Sequence, residues 1–286
     1  MISRRVFLKS TGAGAAALCM INPLSVLTSC ASVPEKLNFG FISGIIGKEL
    51  RDQDWKTVLA KTVEFGFTEI ETGRAPGNAS TEEFLAFCKE IGLKLVAGGL
   101  SMNEDPDAIR KRLDELSALG VKYAVNYWPW LTEKPFMLEA CKQSAPILNM
   151  TGEICREYGI TFCWHNHDNE FFEMEEGTPF DYLMENTDSD LVKCELDVFW
   201  AAKGGADPLE YLKKYAGRYP ILHLKDMTAD DERTFECVGQ GIIDFPAILA
   251  ESKKQGIKHF MVEFDNVVDG MACLESSGKY LHSLSI

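Results

Sequence analysis

Ile160-Thr161-Phe162-Cys163-Trp164-His165-Asn166-His167-Asp168-Asn169-Glu170-Phe171 is the stretch on which the fold turns. Its first part, 160–164, is short, apolar and rich in β-branched and aromatic residues, which predicts a buried strand. Two histidines follow, two positions apart. Side chains at i and i+2 leave the same face of a strand. His165 and His167 are therefore expected to point the same way, as a metal or proton-transfer site would require.

Outward from this strand the chain alternates between two kinds of pattern. Strand-like runs cover 37–42, 68–71, 93–97, 121–127, 160–164, 191–199, 221–224 and 259–264. Between them lie runs of helical period at 55–65, 80–91, 105–120, 135–158, 181–186, 207–215 and 244–255, with a closing helix from Met271. Ser80 with Glu83 forms a capping box, and Pro106 and Pro208 stand where a first helical turn tolerates proline. Pro146 should kink or divide its helix. Eight strands alternating with eight helices imply a parallel sheet with right-handed crossovers. The expected fold class is therefore α/β, a (β/α)8 TIM barrel in a single domain over 37–286. The glycine fingerprint of the alternative, an open dinucleotide-binding sheet, does not follow the first strand.

In such barrels the chemistry collects at the C-terminal strand ends. Strand five delivers His165 and His167, strand six Glu195 and Asp197, strand seven His223 and Lys225, and strand eight Glu263 and Asp265. Burying these groups without partners would cost several kcal/mol each, and one bound cation removes that cost. The expected ligands are His167, Asp197, His223 and Glu263. Two imidazoles and two carboxylates suit Zn, Mn, Fe or Co better than Mg, and better than Ca with its all-oxygen shells. Glu263, His165 and Lys225 are the candidate catalytic groups for removing a proton next to a carbonyl. For Lys225, an ion pair with Glu195 or Asp226 is an equal expectation. Trp128, Trp130 and Trp200 lie at or just past strand ends, where such rings can stack on a ligand. Glu71, Asn126 and Glu195 are candidate hydroxyl-binding residues.

Trp164-His165-Asn166-His167-Asp168-Asn169-Glu170-Phe171, Glu195-Leu196-Asp197-Val198-Phe199-Trp200 with Gly204-Gly205-Ala206-Asp207-Pro208, Leu222-His223-Leu224-Lys225-Asp226 and Val238-Gly239-Gln240-Gly241-Ile242-Ile243-Asp244-Phe245 occur in that order. Together they resemble the sugar isomerase/epimerase family with the xylose isomerase-like barrel. The resemblance implies a divalent metal held by strands five to eight, with a sugar or polyol above it. It also implies, for epimerases, a glutamate on strand five and another on strand eight. Here Glu263 is kept and His167 stands at the strand-five position, which questions a two-glutamate mechanism. Three readings follow: an isomerase or epimerase, a lyase or hydratase eliminating from an oxidised (3-keto) glycoside, and a non-catalytic sugar-binding protein. No phosphate-cradling loop stands out beyond the weak candidate Gly204-Gly205.

The first 36 residues read differently. Ser3-Arg4-Arg5-Val6-Phe7-Leu8-Lys9 has a twin-arginine pattern, and the uncharged stretch 11–27 is short for a membrane span. Leu27-Thr28-Ser29-Cys30 resembles a lipoprotein cleavage box. Residues 1–29 are thus expected to be an export signal, Cys30 a lipidated residue and 30–36 a tether, placing the protein in the periplasm. Without 1–29 the chain would hold 26 Lys+Arg against 43 Asp+Glu, a net charge of −17. That balance disfavours nucleic acid; the family resemblance implies a small carbohydrate as the partner, with membrane contact expected only through the lipid. Oligomeric state is not set by any feature of the sequence. The other cysteines after the tether sit in apolar runs and read as buried thiols.

Overall fold

The computed structural model describes residues 37–132 and 137–286. The expected signal, Cys30 and the tether lie outside the described residues, as does Pro135, where the fifth helix was expected to begin.

Among the described residues the chain runs β1 (Asn38–Ile42), α1 (Gly47–Asp52), α2 (Trp55–Glu64), β2 (Glu69–Glu71), α3 (Thr81–Ile91), β3 (Lys94–Gly99), α4 (Pro106–Ala118), β4 (Tyr123–Asn126), α5 (Leu138–Glu157) and β5 (Thr161–His165). It continues with α6 (Pro179–Glu185), β6 (Val192–Asp197), α7 (Val198–Lys203), α8 (Pro208–Lys214), β7 (Ile221–Leu224), β8 (Asp226–Met227), β9 (Phe235–Glu236), α9 (Phe245–Gln255), β10 (His259–Val262) and α10 (Gly270–Ser283). Eight parallel strands close into a barrel in the order β1-β10-β7-β6-β5-β4-β3-β2, and β8 and β9 form a separate antiparallel pair. The expected (β/α)8 barrel is therefore the observed architecture.

Two apolar layers hold it together. The larger lies between barrel and helices and includes Phe41, Leu196, Leu222, Leu224 and Phe260 on the strands with Leu113, Leu148 and Leu249 on the helices. Burying each such side chain contributes about 1.5–3 kcal/mol. The smaller, Val96, Ala97, Val125, Cys163, Ile221 and Met261, fills the barrel interior. Because strand side chains alternate, the residue two positions after each of Cys163 and Ile221 returns to the axis one layer higher. Those residues are His165 and His223, so the apolar plug forms the floor of a polar mouth.

Helix starts follow the sequence closely. Ser80 accepts the Glu83 N–H at 3.1 Å, Asp105 that of Asp107 at 3.0 Å and Asp207 that of Leu209 at 2.8 Å. Pro146 does not divide α5, which runs unbroken from Leu138 to Glu157. Its packed face, with Ala145, Leu148 and Thr151, outweighs an interior-proline cost of about 3 kcal/mol. The sixth strand ends at Asp197 rather than Phe199: the Asp197 carboxylate accepts the Trp200 N–H at 2.9 Å and starts α7 on the spot. Cys237 and Cys273 form a disulfide, contrary to the expectation of thiols throughout, whereas Cys88, Cys141, Cys155, Cys163 and Cys194 are free and buried.

Candidate active site

Neighbouring strand ends are in register, with His165 opposite Glu195 and Asp197 opposite His223. One ligand atom from each of His165, Asp197, His223 and Glu263 lies within 4.8 Å of the others. Glu71, Glu195 and His223 form a second such group, sharing the imidazole. Three of the four expected ligands thus meet, and His165 takes the place given to His167. The two rings stay 5.2 Å apart, as their i, i+2 spacing predicts, but β5 ends at His165 and only that imidazole reaches the cluster. Asn166 pairs with the backbone of Asp197, donating to its carbonyl at 3.2 Å and accepting its N–H at 2.9 Å. His167 is carried outward, its ring 5.7 Å from Trp128 and 5.3 Å from Trp200.

The ion-pair network in the mouth is dense. His223 Nδ1 lies 2.7 Å from Glu263, and its Nε2 lies 3.1 Å from Glu195 and 3.3 Å from Glu71. Burial opposes a charge on His223, but the carboxylates of Glu195, Glu263 and Glu71 raise it well above an ordinary histidine. Burial drives His165 the other way, and the neighbouring His223 and His167 add to it, favouring its neutral form. Lys225 Nζ sits 2.7 Å from Asp265, 3.1 Å from Glu263 and 3.2 Å from Asp197. Burial works against its charge, yet Asp197, Glu263 and Asp265 hold it protonated. This corrects one expectation: the partners of Lys225 are neither Glu195 nor Asp226. Asp226 instead accepts the N–H groups of Gly239 and Gly241, both at 2.9 Å. The Gly239-Gln240-Gly241 turn is thus wrapped around a carboxylate.

Glu71, Glu195, Asp197, Glu263 and Asp265 converge here, against Lys225 and His223. Glu195 Oε1 has no partner among the described residues, and Glu195 Oε2, Asp197 Oδ2 and His165 Nδ1 have ion-pair neighbours at 3.1–3.3 Å but no well-formed hydrogen bond. Orphaned buried acceptors cost about 1–3 kcal/mol each. The donor set, its negative excess and its unsatisfied atoms fit a divalent cation, for which His165, Asp197, His223 and Glu263 are the candidate ligands. Mixed nitrogen and oxygen donors leave zinc, manganese, iron and cobalt open.

Two residues that the sequence did not single out complete the mouth. The Tyr127 hydroxyl donates to Glu71 Oε1, tying the ends of β2 and β4 together. Glu170 is fully buried, accepting Trp130 Nε1–H at 2.6 Å and the His167 N–H at 2.7 Å. It fixes the backbone that carries His167, and it withdraws Trp130 from the stacking role expected of it. Asn126 is also buried, its side-chain oxygen spent on the Trp128 N–H at 3.0 Å. Trp128 is 42% exposed and Trp200 half-buried, both on the rim beside His167. Gly204 is a point of close approach: a Cβ there would strike the Asp168 carbonyl and the Phe171 side chain.

Glu170→Gln is expected to cost about 1–3 kcal/mol, since an amide N–H would face an N–H donor. Burial lifts the Glu170 carboxyl from 4.5 to about 7. Between those values the folded state holds a proton that the unfolded state has lost, so the residue's contribution to stability falls as pH rises through that window. In urea unfolding, the deficit of the variant should be largest near the lower end of the window and shrink toward the upper end. A pH-independent difference would contradict this.

Comparison with known proteins agrees with the geometry. The family described as xylose isomerase-like TIM barrel matches residues 59–277. An inosose dehydratase from Geobacillus kaustophilus (strain HTA426) is 28% identical over 231 residues, 68% of this chain and 74% of the relative. The crystal structure of a sugar phosphate isomerase/epimerase from Parabacteroides distasonis ATCC 8503 superposes with a TM-score of 0.72 at 26% identity, covering 91% of this chain and 97% of that one. The IolI protein, solved with a zinc atom, shares the fold at 20% identity and a TM-score of 0.67, covering 85% of this chain and 96% of that one. With the closed barrel and the matched span in agreement, this chain belongs to the xylose isomerase-like TIM barrel family.

Proposed function

We propose that the protein is a metal-dependent lyase of the dehydratase type, acting on a polyhydroxylated ketone such as a keto-inositol or an oxidised sugar. The observation that carries this reading is the replacement of a strand-five carboxylate by His165 in the ligand cluster. A mirror-image pair of glutamates, as two-base epimerisation uses, is not assembled from β5 and β10. A charged lysine, by contrast, stands in the mouth beside the ligands. The name shared by the curated relatives, inosose dehydratase, supports elimination over isomerisation. The sugar-binding alternative is disfavoured, because so many buried ionisable groups are a costly way to build a binder.

A divalent cation bound here would polarise the ketone oxygen and make the adjacent C–H acidic. His167, half-buried beside Trp128 and Trp200, would take that proton. The C–O bond at the β carbon then breaks, and the leaving oxygen takes a proton from the Lys225 ammonium. The products are an unsaturated ketone and water, or an alcohol when the leaving group is an aglycone. Trp128 and Trp200 offer flat apolar faces to the ring, and Tyr127 and Glu71 offer polar atoms to its hydroxyls.

The test is incubation of metal-loaded protein with keto-inositol and with 3-keto-glucosides in deuterated water. An unsaturated ketone, with loss of water or release of aglycone, is the expected outcome. Deuterated epimer without elimination would return the protein to the isomerases, and no exchange with either substrate would remove both readings.

A further inference from the structure

On the other side of the mouth, beyond Glu71 and Tyr127, a cavity of about 620 Å³ opens over the ends of β1 to β4. Ser43, Gly44, Thr72 and Arg74 line it and also line an adjoining cavity of about 420 Å³ that reaches Arg51. The two form one groove that starts at the wall of the reaction site and runs out over α1. Its floor is apolar, with Leu59, Ile70 and Phe84. Two carboxylates border it, Glu71 at the mouth end and Glu115, and three arginines, Arg51, Arg74 and Arg112. Arg112 is committed: its guanidinium donates to the carbonyls of Gly99 and Gly73, both at 2.9 Å, and pairs with Glu115. Arg51 and Arg74 make no ion pair and no side-chain hydrogen bond among the described residues.

Two unpaired guanidiniums facing one cavity are notable in a chain with 43 acidic residues against 29 basic ones. Of the other basic side chains that line a cavity or reach the mouth, Arg112 and Lys225 are paired, and Arg233 stands alone at a separate cavity. We propose that this groove binds the non-reacting part of the substrate through an anionic substituent, a carboxylate or a phosphate, recognised by Arg51 and Arg74. Guanidinium suits either anion, because its fork of donors meets two oxygens at once. The charge division also fixes orientation. Five carboxylates in the mouth repel an anionic group, whereas the groove attracts it, so a two-part substrate enters with its neutral carbonyl end toward Lys225. The inference rests on the mouth being where a polyhydroxylated carbonyl compound reacts, but not on what the reaction is.

The experiment is calorimetric titration of metal-loaded protein with cellobiose, its 6′-carboxylate and its 6′-phosphate. The anionic disaccharides should bind at least about tenfold more tightly than cellobiose at low salt, with the advantage shrinking at high salt. The Arg51→Gln/Arg74→Gln protein should lose that advantage, and each single variant part of it. The preferred anion identifies the substituent. Equal affinities for all three sugars, failure of both anionic sugars to bind, or a preference that survives the double substitution would overturn the proposal. Elimination from neutral keto-inositol by the unaltered enzyme tests the reaction independently. An anion preference without elimination would leave the groove standing and remove the lyase reading.

Discussion

His223→Ala protein is expected to take up no divalent metal and to lose activity by at least about a thousandfold, equivalent to about 4 kcal/mol of barrier. The size of the effect follows from position. His223 belongs to both groups of potential ligands and touches Glu71, Glu195 and Glu263 at once. Removing it takes away a ligand and leaves buried carboxylates facing one another. Chelator treatment of the unaltered protein should produce the same loss, reversed by zinc or manganese, whereas the variant should not recover. Because the surrounding carboxylates favour a proton on His223, metal and proton compete for it, and apparent affinity should rise with pH. Metal bound with unchanged stoichiometry in the variant, measured by elemental analysis, would remove His223 from the ligand set.

Lys225→Met carries the second large effect. Nζ is the cation shared by Asp197, Glu263 and Asp265, and it lies 5.1 Å from the Trp200 ring centroid and 5.2 Å from that of Phe235. Taking one partner from a buried ion cluster costs about 3–5 kcal/mol, and metal-free Lys225→Met should be less stable by that amount. Activity should fall about 10²–10⁴-fold through loss of the proton donor. Added metal should restore much of the stability by supplying positive charge to Asp197 and Glu263, but it should not restore activity. Thermal melts with and without metal, alongside turnover, separate the two. If metal rescued activity as well, Lys225 would be a structural cation only.

The barrel was legible because each buried parallel strand is an apolar run that ends in polar residues at alternate positions. At strands six, seven and eight this alternation located Glu195, Asp197, His223, Lys225 and Glu263 correctly at the mouth. At strand five it placed His165 and His167 side by side but did not say which of the two joins the ligand cluster. The chain after His165 is fixed by Asn166 and Glu170, whose partners on β6 and in the loop after β4 lie far away in sequence. Glu170 sits in a stretch polar enough to pass for an exposed loop, and nothing local marks it as buried. Tyr127 carries no local signal, because its hydroxyl reaches Glu71 at the end of β2, 56 residues away, whereas the neighbouring Asn126 side chain turns to its own backbone. The charge of Lys225 depends on three carboxylates from two other strand ends, so sequence alone could not choose between base and ammonium. The pairing of Cys237 with Cys273 spans 36 residues and obeys no spacing rule.

That disulfide makes residues 237–273 a covalent ring. The ring contains α9, β10 and the carboxylates of Glu263 and Asp265, which means that part of the mouth lies on a closed loop rather than on an open thread. Its most solvent-exposed apolar point is Val268, 95% exposed in the turn before α10. A protease cutting there would open the ring without releasing either piece. The nicked molecule would keep its mass apart from one added water, and β10 would stay anchored through Cys237 on one side and through its place in the barrel on the other.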